Sequence, residues 1–475
     1  MSKNNSVVST EPYKGVRDFY PEDMFVQNHI FSTWKKTVEQ FGYTEYNASI
    51  LEPAELYKAK TSEEIINEQT YFFTDRGDRE VILRPEMTPT VARMVAGRKR
   101  ELGFPLRWYS IPNVFRYERP QRGRLREHWQ LNVDMFGLAG TEADVELITL
   151  AHRIMLSFGA QESDFQIKVS SRKLMNAVFG TWYELDEFQS KALQRHMDKK
   201  SKMPEDVFYA EAEKIIGKPF EFLNLSHTSP QYEEALSYPA IREAKMELDT
   251  VLAELKKRGV HNAVYDENII RGFDYYTGTV FEVFDTDPAN SRSIFGGGRY
   301  DNLLSLFGNE TVPAFGFGMG DVTIRDFLET HNLLPEYSST TDVMICVMNQ
   351  ESKEYADSVA DTLRNEGTNV SVNYSYRPTG DQIKTARKQG ISKIIVIGEN
   401  ETHSKSYTIK DLKNVVLSML ILQMKKGAII RALTKTASNE SNYRLLCHLS
   451  LAAAYVRTIG YTSNPHSFSI LIAVL

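Results

Sequence analysis

The sequence predicts an α+β protein in which an antiparallel sheet is interrupted by a helical insertion and followed by a separate α/β unit. Three observations carry this. Extended and alternating runs fall in two blocks, residues 1–174 and 261–334; residues 175–260 between them read as long charged helices; and after the Asn332-Leu333-Leu334-Pro335 break, strand and helix patterns alternate. A length of 475 residues exceeds the ~250–300 at which a single core stops growing, so several domains are expected.

In chain order, Ile30, Phe31, Trp34, Val38 and Phe41 recur at three and four, predicting a helix over residues 27 to about 40 that Gly42 ends. Residues 43–57 read as extended, and Pro53 confines that segment to a sheet edge or interface. Tyr71-Phe72-Phe73 and Val81-Ile82-Leu83 flank a Gly/Asp turn and form a hairpin. Two long strands follow over 108–118 and 128–136, joined by an arginine-rich loop. Thr141 is a candidate cap for a helix that stops at Gly159, and residues 165–169 form a short strand. In the insertion, Ile241, Ala244, Leu248, Val251, Leu252 and Leu255 make one apolar face, stopped by Gly259. Sheet patterns return over 278–284, 293–298 and 315–320, the last leading into a helix over 322–328. Residues 340–413 read as strand 343–347, helix 353–365, strand 370–372, helix 381–388 and strand 393–397. Residues 414–475 are an atypical tail of unassigned structure.

Hydrophobic residues make up 42% and charged residues 25% of the chain, which supports packed cores and excludes a disordered protein. The net charge of −6 excludes a uniformly basic coat, so nucleic-acid contact is confined to local patches. Cys346 and Cys447 lack CxxC spacing, which argues against a zinc site or disulfide scaffold, and no metal ligand is assigned. No apolar run reaches the ~18 residues of a membrane span. The first residues carry neither a signal-peptide core nor a transit-peptide arginine bias, so a cytoplasmic protein is expected.

The densest chemical signal is Phe115-Arg116-Tyr117-Glu118-Arg119-Pro120-Gln121-Arg122-Gly123-Arg124. An arginine and a glutamate two apart on a strand share a face. A guanidinium fork suits phosphate oxygens and a carboxylate accepts from an exocyclic amine, so the pair suits a nucleotide. A salt-bridge ladder is the plain alternative. Four arginines and a glycine in ten residues weaken it.

This string resembles motif 2 of the class II aminoacyl-tRNA synthetases. Three more make the chain similar to the histidyl-tRNA synthetase family: Leu83-Arg84-Pro85-Glu86-Met87-Thr88, the run from Arg271-Gly272-Phe273-Asp274-Tyr275-Tyr276 to Glu282, and Gly296-Gly297-Gly298-Arg299-Tyr300-Asp301. The resemblance runs from about Tyr13 to Leu412. It implies a class II catalytic domain, a helical insertion and an anticodon-binding domain. It also implies ATP-dependent attachment of L-histidine to histidine tRNA through a histidyl-adenylate. The rival readings are a catalytically inactive synthetase-like regulatory or sensor protein, and another class II specificity.

By the same resemblance, Arg116 and Arg271 are the catalytic charge donors at the α-phosphate, Glu118 meets the adenine amine, and Arg124 and Arg126 meet the distal phosphates. Mg2+ bridges the β- and γ-phosphates. Glu86, Thr88, Gln130, Asp134, Tyr275 and Tyr276 surround the histidine, and Gln121 meets the extra 5′ guanosine of the tRNA. Phe19-Tyr20-Pro21 and Pro53 fall where the family dimerises, implying a homodimer. Strand alternation expects only one of Tyr275 and Tyr276 to touch ligand. Gly296, Gly297 and Gly298 are either a flexible loop or, as the resemblance favours, backbone packed beneath a ligand. One departure stands out: Thr323 occupies the place of the family's motif 3 arginine. Arg325, two residues on, is turned by ~200° on a helix and cannot replace it unless the helix start moves.

Overall fold

In a computed structural model of the chain, helix α1 (Pro21–Gln40) begins six residues before the start expected at residue 27. Pro21 sits at its first position, where a missing N–H is harmless, and Glu22 and Asp23 face the positive end of the helix. The structure describes residues 8–58, 69–197, 200, 203–220, 222, 229–269, 275–308 and 311–412; Arg271, Cys447 and the tail 414–475 lie outside the described residues.

Strands β1 (Thr44–Glu45) and β2 (Leu51–Pro53) precede a short helix α2 (Ala54–Lys58), so the extended segment expected over 43–57 ends at Pro53. Ala54, Glu55 and Leu56 favour helix once the edge strand closes. Strands β3 (Tyr71–Thr74) and β4 (Glu80–Leu83) form the expected hairpin. Its turn is held by Asp75 Oδ1, which accepts from the N–H groups of Gly77 and Arg79. Helix α3 (Thr88–Arg98) leads to β5 (Leu106–Ser110), β6 (Asn113–Phe115) and β7 (Glu127–Phe136). The long strand expected over 108–118 is therefore two pieces. Pro112 has no N–H to give a ladder, and β6 stops at Phe115.

Helix α4 (Glu142–Ser157) forms as expected, but Thr141 adopts helical backbone and its side chain makes no cap hydrogen bond. Next come β8 (Phe165–Ser171) and helices α5 (Arg172–Ala177), α6 (Glu187–Met197), α7 (Glu205–Ile216), α8 (Pro230–Ser237) and α9 (Pro239–Lys257). Then β9 (Ala263–Tyr265), β10 (Thr279–Asp285), β11 (Ser293–Arg299) and β12 (Ala314–Gly320) return the chain to the sheet, and helix α10 (Asp321–Thr330) follows. The large sheet has the order β1-β5-β7-β12-β11-β10-β8-β9, with β6 on β7. It is antiparallel except at the two ends, where β1 joins β5 and β9 joins β8 in parallel. A three-stranded sheet, β2-β4-β3, stands apart with Pro53 on its edge strand.

One apolar core lies against the large sheet. Ile30, Trp34 and Val38 of α1, Leu147 and Ile154 of α4, and Phe327 of α10 share it with Leu193, Phe208, Leu248 and Val251 of the helical stretch. Those helices bury their apolar stripes in the same core as the sheet, which is why residues up to Glu336 form one compact unit.

The unit beginning at Tyr337 holds β13 (Val343–Val347), helix α11 (Lys353–Asn365), β14 (Val370–Asn373), helix α12 (Thr379–Lys388), β15 (Lys393–Ile397), helix α13 (Glu399–Ser404) and β16 (Ile409–Asp411). The order β14-β13-β15-β16 is parallel apart from the β15–β16 pair. Val343 to Val347 are all buried, as a strand covered on both faces must be.

An ion pair inside the first unit fixes the end of β11. Arg299, 4% exposed, donates from Nε to Asp144 Oδ1 at 3.0 Å and to the carbonyls of Leu138 and Gly140. Removing one member of such a pair leaves the other charge buried alone, at a cost of about 3–5 kcal/mol. Arg299→Leu is therefore expected to lower the urea midpoint of this unit markedly. Tryptophan fluorescence reads it cleanly, because Trp34, Trp108, Trp129 and Trp182 all lie before Glu336. An unchanged midpoint would refute the bracing role.

Candidate active site

The site starts from backbone spacing. Across β11 and β12, Gly296 faces Gly318 and Gly298 faces Gly316; across β12 and β7, Gly316 faces Asp134 and Gly318 faces Asn132. A Cβ on Gly316 would lie 2.2 Å from Asp134 Oδ1, one on Gly318 2.2 Å from Gln130 Nε2, and one on Gly297 2.2 Å from the carbonyl oxygen of Gly316. Glycine here is a steric requirement, because the polar side chains of β7 lie over the backbone of its neighbour. The glycine run that was open between loop and floor is a strand, β11, and forms floor.

Above this floor is a cavity of about 150 Å³ lined by Glu86, Thr88, Arg116, Gln130, Asn132, Tyr275, Tyr276, Gly296, Tyr300, Gly316, Phe317 and Gly318. Glu86 and Thr88 come from the turn into α3, where the Tyr57 hydroxyl donates to the Glu86 carbonyl at 2.9 Å. Arg84 clamps that turn by donating to the carbonyls of Ala48, Ser49 and Asn113. Tyr275 Oη donates to Glu86 Oε2 at 3.1 Å. Tyr300 Oη donates to Asp134 Oδ1 at 2.5 Å.

Strand alternation, the ground for expecting one of Tyr275 and Tyr276 alone to touch ligand, does not place these two residues. Both precede β10, and both line the cavity with ring centroids 5.0 Å apart. Burial raises the pKa of Tyr275, Tyr276 and Tyr300, so all three remain O–H donors at neutral pH. Burial also pushes the Asp134 carboxyl up to about 7, although the Tyr300 hydrogen bond opposes it. His128, two residues before Gln130 on β7, is pushed down to about 3 by burial and by the charges of Arg116 and Arg17, and stays neutral. Two buried acceptors in this neighbourhood, Gln130 Oε1 and Asp134 Oδ2, have no hydrogen-bond partner among the described residues.

Arg116 and Glu118 lie just beyond β6 rather than on a strand, although Arg116 N–H still donates to the Arg126 carbonyl. Arg116 reaches the cavity while its Nε donates to the Pro85 carbonyl at 2.9 Å. Glu118 does not line the cavity; its carboxylate is 3.1 Å from Arg124. Arg126 is 8% exposed, stacked 3.9 Å from the Tyr117 ring centroid and donating to Tyr13 Oη and the Glu118 carbonyl. That placement braces the loop and leaves little of the guanidinium for a phosphate. The loop itself is a tight hairpin: Gln121 and Arg124 exchange two backbone hydrogen bonds across Arg122 and Gly123, with Gly123 at φ +75°. Gln121 is at its tip and away from the cavity lining.

Thr323 donates to the Ile294 carbonyl at 2.7 Å, and Arg325 pairs with Asp23 of α1 at 2.8 Å. Arg325 therefore does not stand in for a residue at 323, as the helical rotation requires. The first residue of α10, Asp321, is fully buried and accepts from Arg17, Gln27 and the Trp129 N–H. Sequence reasoning missed Asn132 and Tyr300 as lining residues. Asn132 was within reach, since Gln130, Asn132 and Asp134 alternate onto one face of β7.

Asp134 carries a pH signature. Its ordinary value is 3.8 and its native value about 7. Between those values the unfolded chain loses this proton while the native state keeps it, so Asp134 costs stability progressively as pH rises to about 7. Asp134→Asn lacks that penalty. Its stability relative to the parent is expected to rise between pH 4 and 7 and then level off; a difference independent of pH in urea titrations would contradict the buried, protonated carboxyl.

Comparison with known proteins agrees with this geometry. A family model described as Histidyl-tRNA synthetase matches residues 15–322, and one described as Anticodon binding domain matches residues 342–426, past the Leu412 at which the resemblance was expected to stop. The chain is 43% identical over 414 residues to a Histidine--tRNA ligase of Leptospira biflexa, covering 85% of this chain and 94% of that protein. It is 35% identical over 434 residues to one from Thermoplasma volcanium, covering 90% and 99%. The crystal structure of histidyl-tRNA synthetase from a Nostoc species superposes with a TM-score of 0.70 over 86% of this chain and 96% of that one, at 24% identity, a likeness of fold. The chain belongs to the histidyl-tRNA synthetase family.

Proposed function

We propose that this protein is a class II histidine–tRNA ligase that joins L-histidine to histidine tRNA in two steps, of which the first consumes ATP. One observation supports this most: Glu86, Thr88, Arg116, Gln130, Tyr275 and Tyr276, drawn from four separated stretches of chain, line one cavity. In this reading the Glu86 carboxylate takes the ammonium group of the substrate. Asp134, Gln130 and the phenols of Tyr275 and Tyr276 pair the imidazole nitrogens, and Thr88 adds a hydroxyl. The unpartnered acceptors Gln130 Oε1 and Asp134 Oδ2 suit a ligand that brings N–H donors.

In the first step a histidine carboxylate oxygen attacks the α-phosphorus of ATP, the bond to the β-phosphate oxygen breaks, and pyrophosphate leaves. The nucleophile is already anionic and needs no base, so the protein supplies alignment and positive charge. Arg116 provides that charge from the cavity wall, with Arg271 as the second donor. Glu118 accepts from the adenine amine once Arg124 turns from it to the distal phosphates. Arg126 serves those phosphates only by leaving the Tyr13 and Tyr117 rings, so Arg124 is the principal distal cation. In the second step a hydroxyl of the terminal tRNA adenosine attacks the acyl carbon and AMP departs.

Among the described residues there is no cluster of three potential metal ligands. The Glu282 carboxylate, whose Cγ lies 3.0 Å from the Cβ position of the cavity-lining Gly296, would help hold a Mg2+ that arrives with the distal phosphates of the nucleotide. When bound, the ion neutralises charge on those phosphates. Gln121 meets the extra 5′ guanosine, and the unit spanning 340–413 takes the anticodon. Residues 1–174 and 261–334 form the catalytic domain, 175–260 the insertion, and 414–475 an appended tail. A cytoplasmic homodimer completes the proposal. Exposed Leu51, Phe72 and Phe73 on the small sheet offer apolar surface for a second copy. Among the described residues no helix is long and apolar enough to cross a membrane.

Histidine-dependent pyrophosphate exchange on the purified chain tests the first step. Arg116→Ala and Arg271→Ala are each expected to cut exchange by ~100-fold or more, the scale on which one preorganised charge donor acts. Near-normal exchange by either variant would remove that residue from the reaction.

A further inference from the structure

The guanidinium of Arg292 stands next to the Gln121 side chain, 3.1 Å from its amide and 171 positions away in sequence. A guanidinium only donates, so the amide atom facing it must be Oε1, and Nε2 is left pointing away. We propose that Arg292 is a positioning residue for tRNA specificity: it fixes the polarity of the Gln121 amide so that Gln121 presents a donor. This rests on the reading that Gln121 meets the extra 5′ guanosine. Guanine offers two acceptors, N7 and O6, on one edge, whereas adenine offers N7 beside the N6 donor. A held donor therefore favours guanine, while a freely rotating amide would serve either base.

Both partners are braced. Gln121 exchanges two backbone hydrogen bonds with Arg124 across the hairpin turn. Arg292 follows a turn in which Asn290 Nδ2 donates to Asp285 Oδ2 at 2.7 Å and to Thr330 Oγ1 at 3.0 Å. Arg122 ties the two segments together, donating to Asn290 Oδ1 at 3.1 Å and Thr330 Oγ1 at 3.3 Å. The hydrogen bonds given above for Arg122 and Arg292 go to neutral groups, and Asp326 is the carboxylate that interacts electrostatically with Arg122, so in this reading Arg292 is the better placed cation for the 5′ phosphate of the same nucleotide. Phosphate contacts position the RNA and the base edge specifies it.

The test uses the full chain and two tRNA transcripts that differ only in carrying G or A as the extra 5′ nucleotide, read as the ratio of kcat/KM in aminoacylation. Arg292→Met is expected to lower the preference for G roughly five- to tenfold. Histidine-dependent pyrophosphate exchange, which involves no tRNA, should be unchanged. Arg292→Lys, still able to donate to Oε1, should recover part of the preference. Gln121→Glu keeps an oxygen on Arg292 and presents an acceptor outward, so the preference should move towards A. An unchanged ratio in Arg292→Met, with the ratio collapsed in Gln121→Ala, overturns this inference alone. An unchanged ratio in Gln121→Ala overturns the reading on which it rests.

Discussion

The site depends on the absence of side chains where three strands run together. Side chains on a sheet normally stand up from their own strand, and a polar group on β7 would meet the Cβ atoms of β12 if it leaned over. With glycine at 316 and 318 the neighbouring backbone leaves room, and Asp134 and Gln130 lie across it. Gly297 extends the same logic one strand further, where the Gly316 carbonyl takes the space of a side chain. The cavity is a consequence of this close packing. In its lining Tyr275 holds the Glu86 carboxylate, and Tyr300 holds Asp134, which is buried outside the lining itself.

Glycine strands are weak by themselves, since they lose more backbone freedom and bury no side chain. The surrounding ion pairs compensate. Arg299 anchors the end of β11 to α4 through Asp144, and Arg17 and Gln27 anchor the start of α10, which leaves β12, through Asp321. The Trp129 N–H closes the second hub onto β7 itself. The functional strands are thus held at their ends by charged contacts and underneath by the α1, α4 and α10 core. The arginine hairpin is different in kind. Its contacts through Arg122 and Gln121 are side-chain hydrogen bonds at the surface, whereas the buried Arg126 is tied to the body by its side chain and by its N–H on the Gly15 carbonyl. Exposed side-chain hydrogen bonds of this kind exchange more readily than the buried ion pairs at the strand ends.

Much of this was legible because local period and residue type agree. The β3–β4 hairpin, α11, β13 and β15 are read from alternation and apolar spacing alone, and the four signature strings carry seven of the cavity-lining residues. What escaped depends on contacts distant in sequence. Tyr300 joins the site through Asp134, 166 positions earlier, and Arg126 is enclosed by Tyr13, 113 positions earlier. No local pattern encodes either. The break at Pro112 was visible in composition, yet a strand that resumes after one turn looks continuous to period alone. Thr141 was read as a cap by residue type, but its backbone is already helical, so its side chain is not aimed at the first N–H groups.

The central claim is that polar groups over a glycine floor recognise both nitrogens of an imidazole ring. Pyrophosphate exchange driven by histidine, compared with its two ring N-methyl derivatives on the same protein, tests it most directly. The account predicts exchange with histidine and a loss of ~100-fold or more when either nitrogen is methylated, because a buried acceptor or hydroxyl then goes unpaired. Comparable exchange with all three would contradict it.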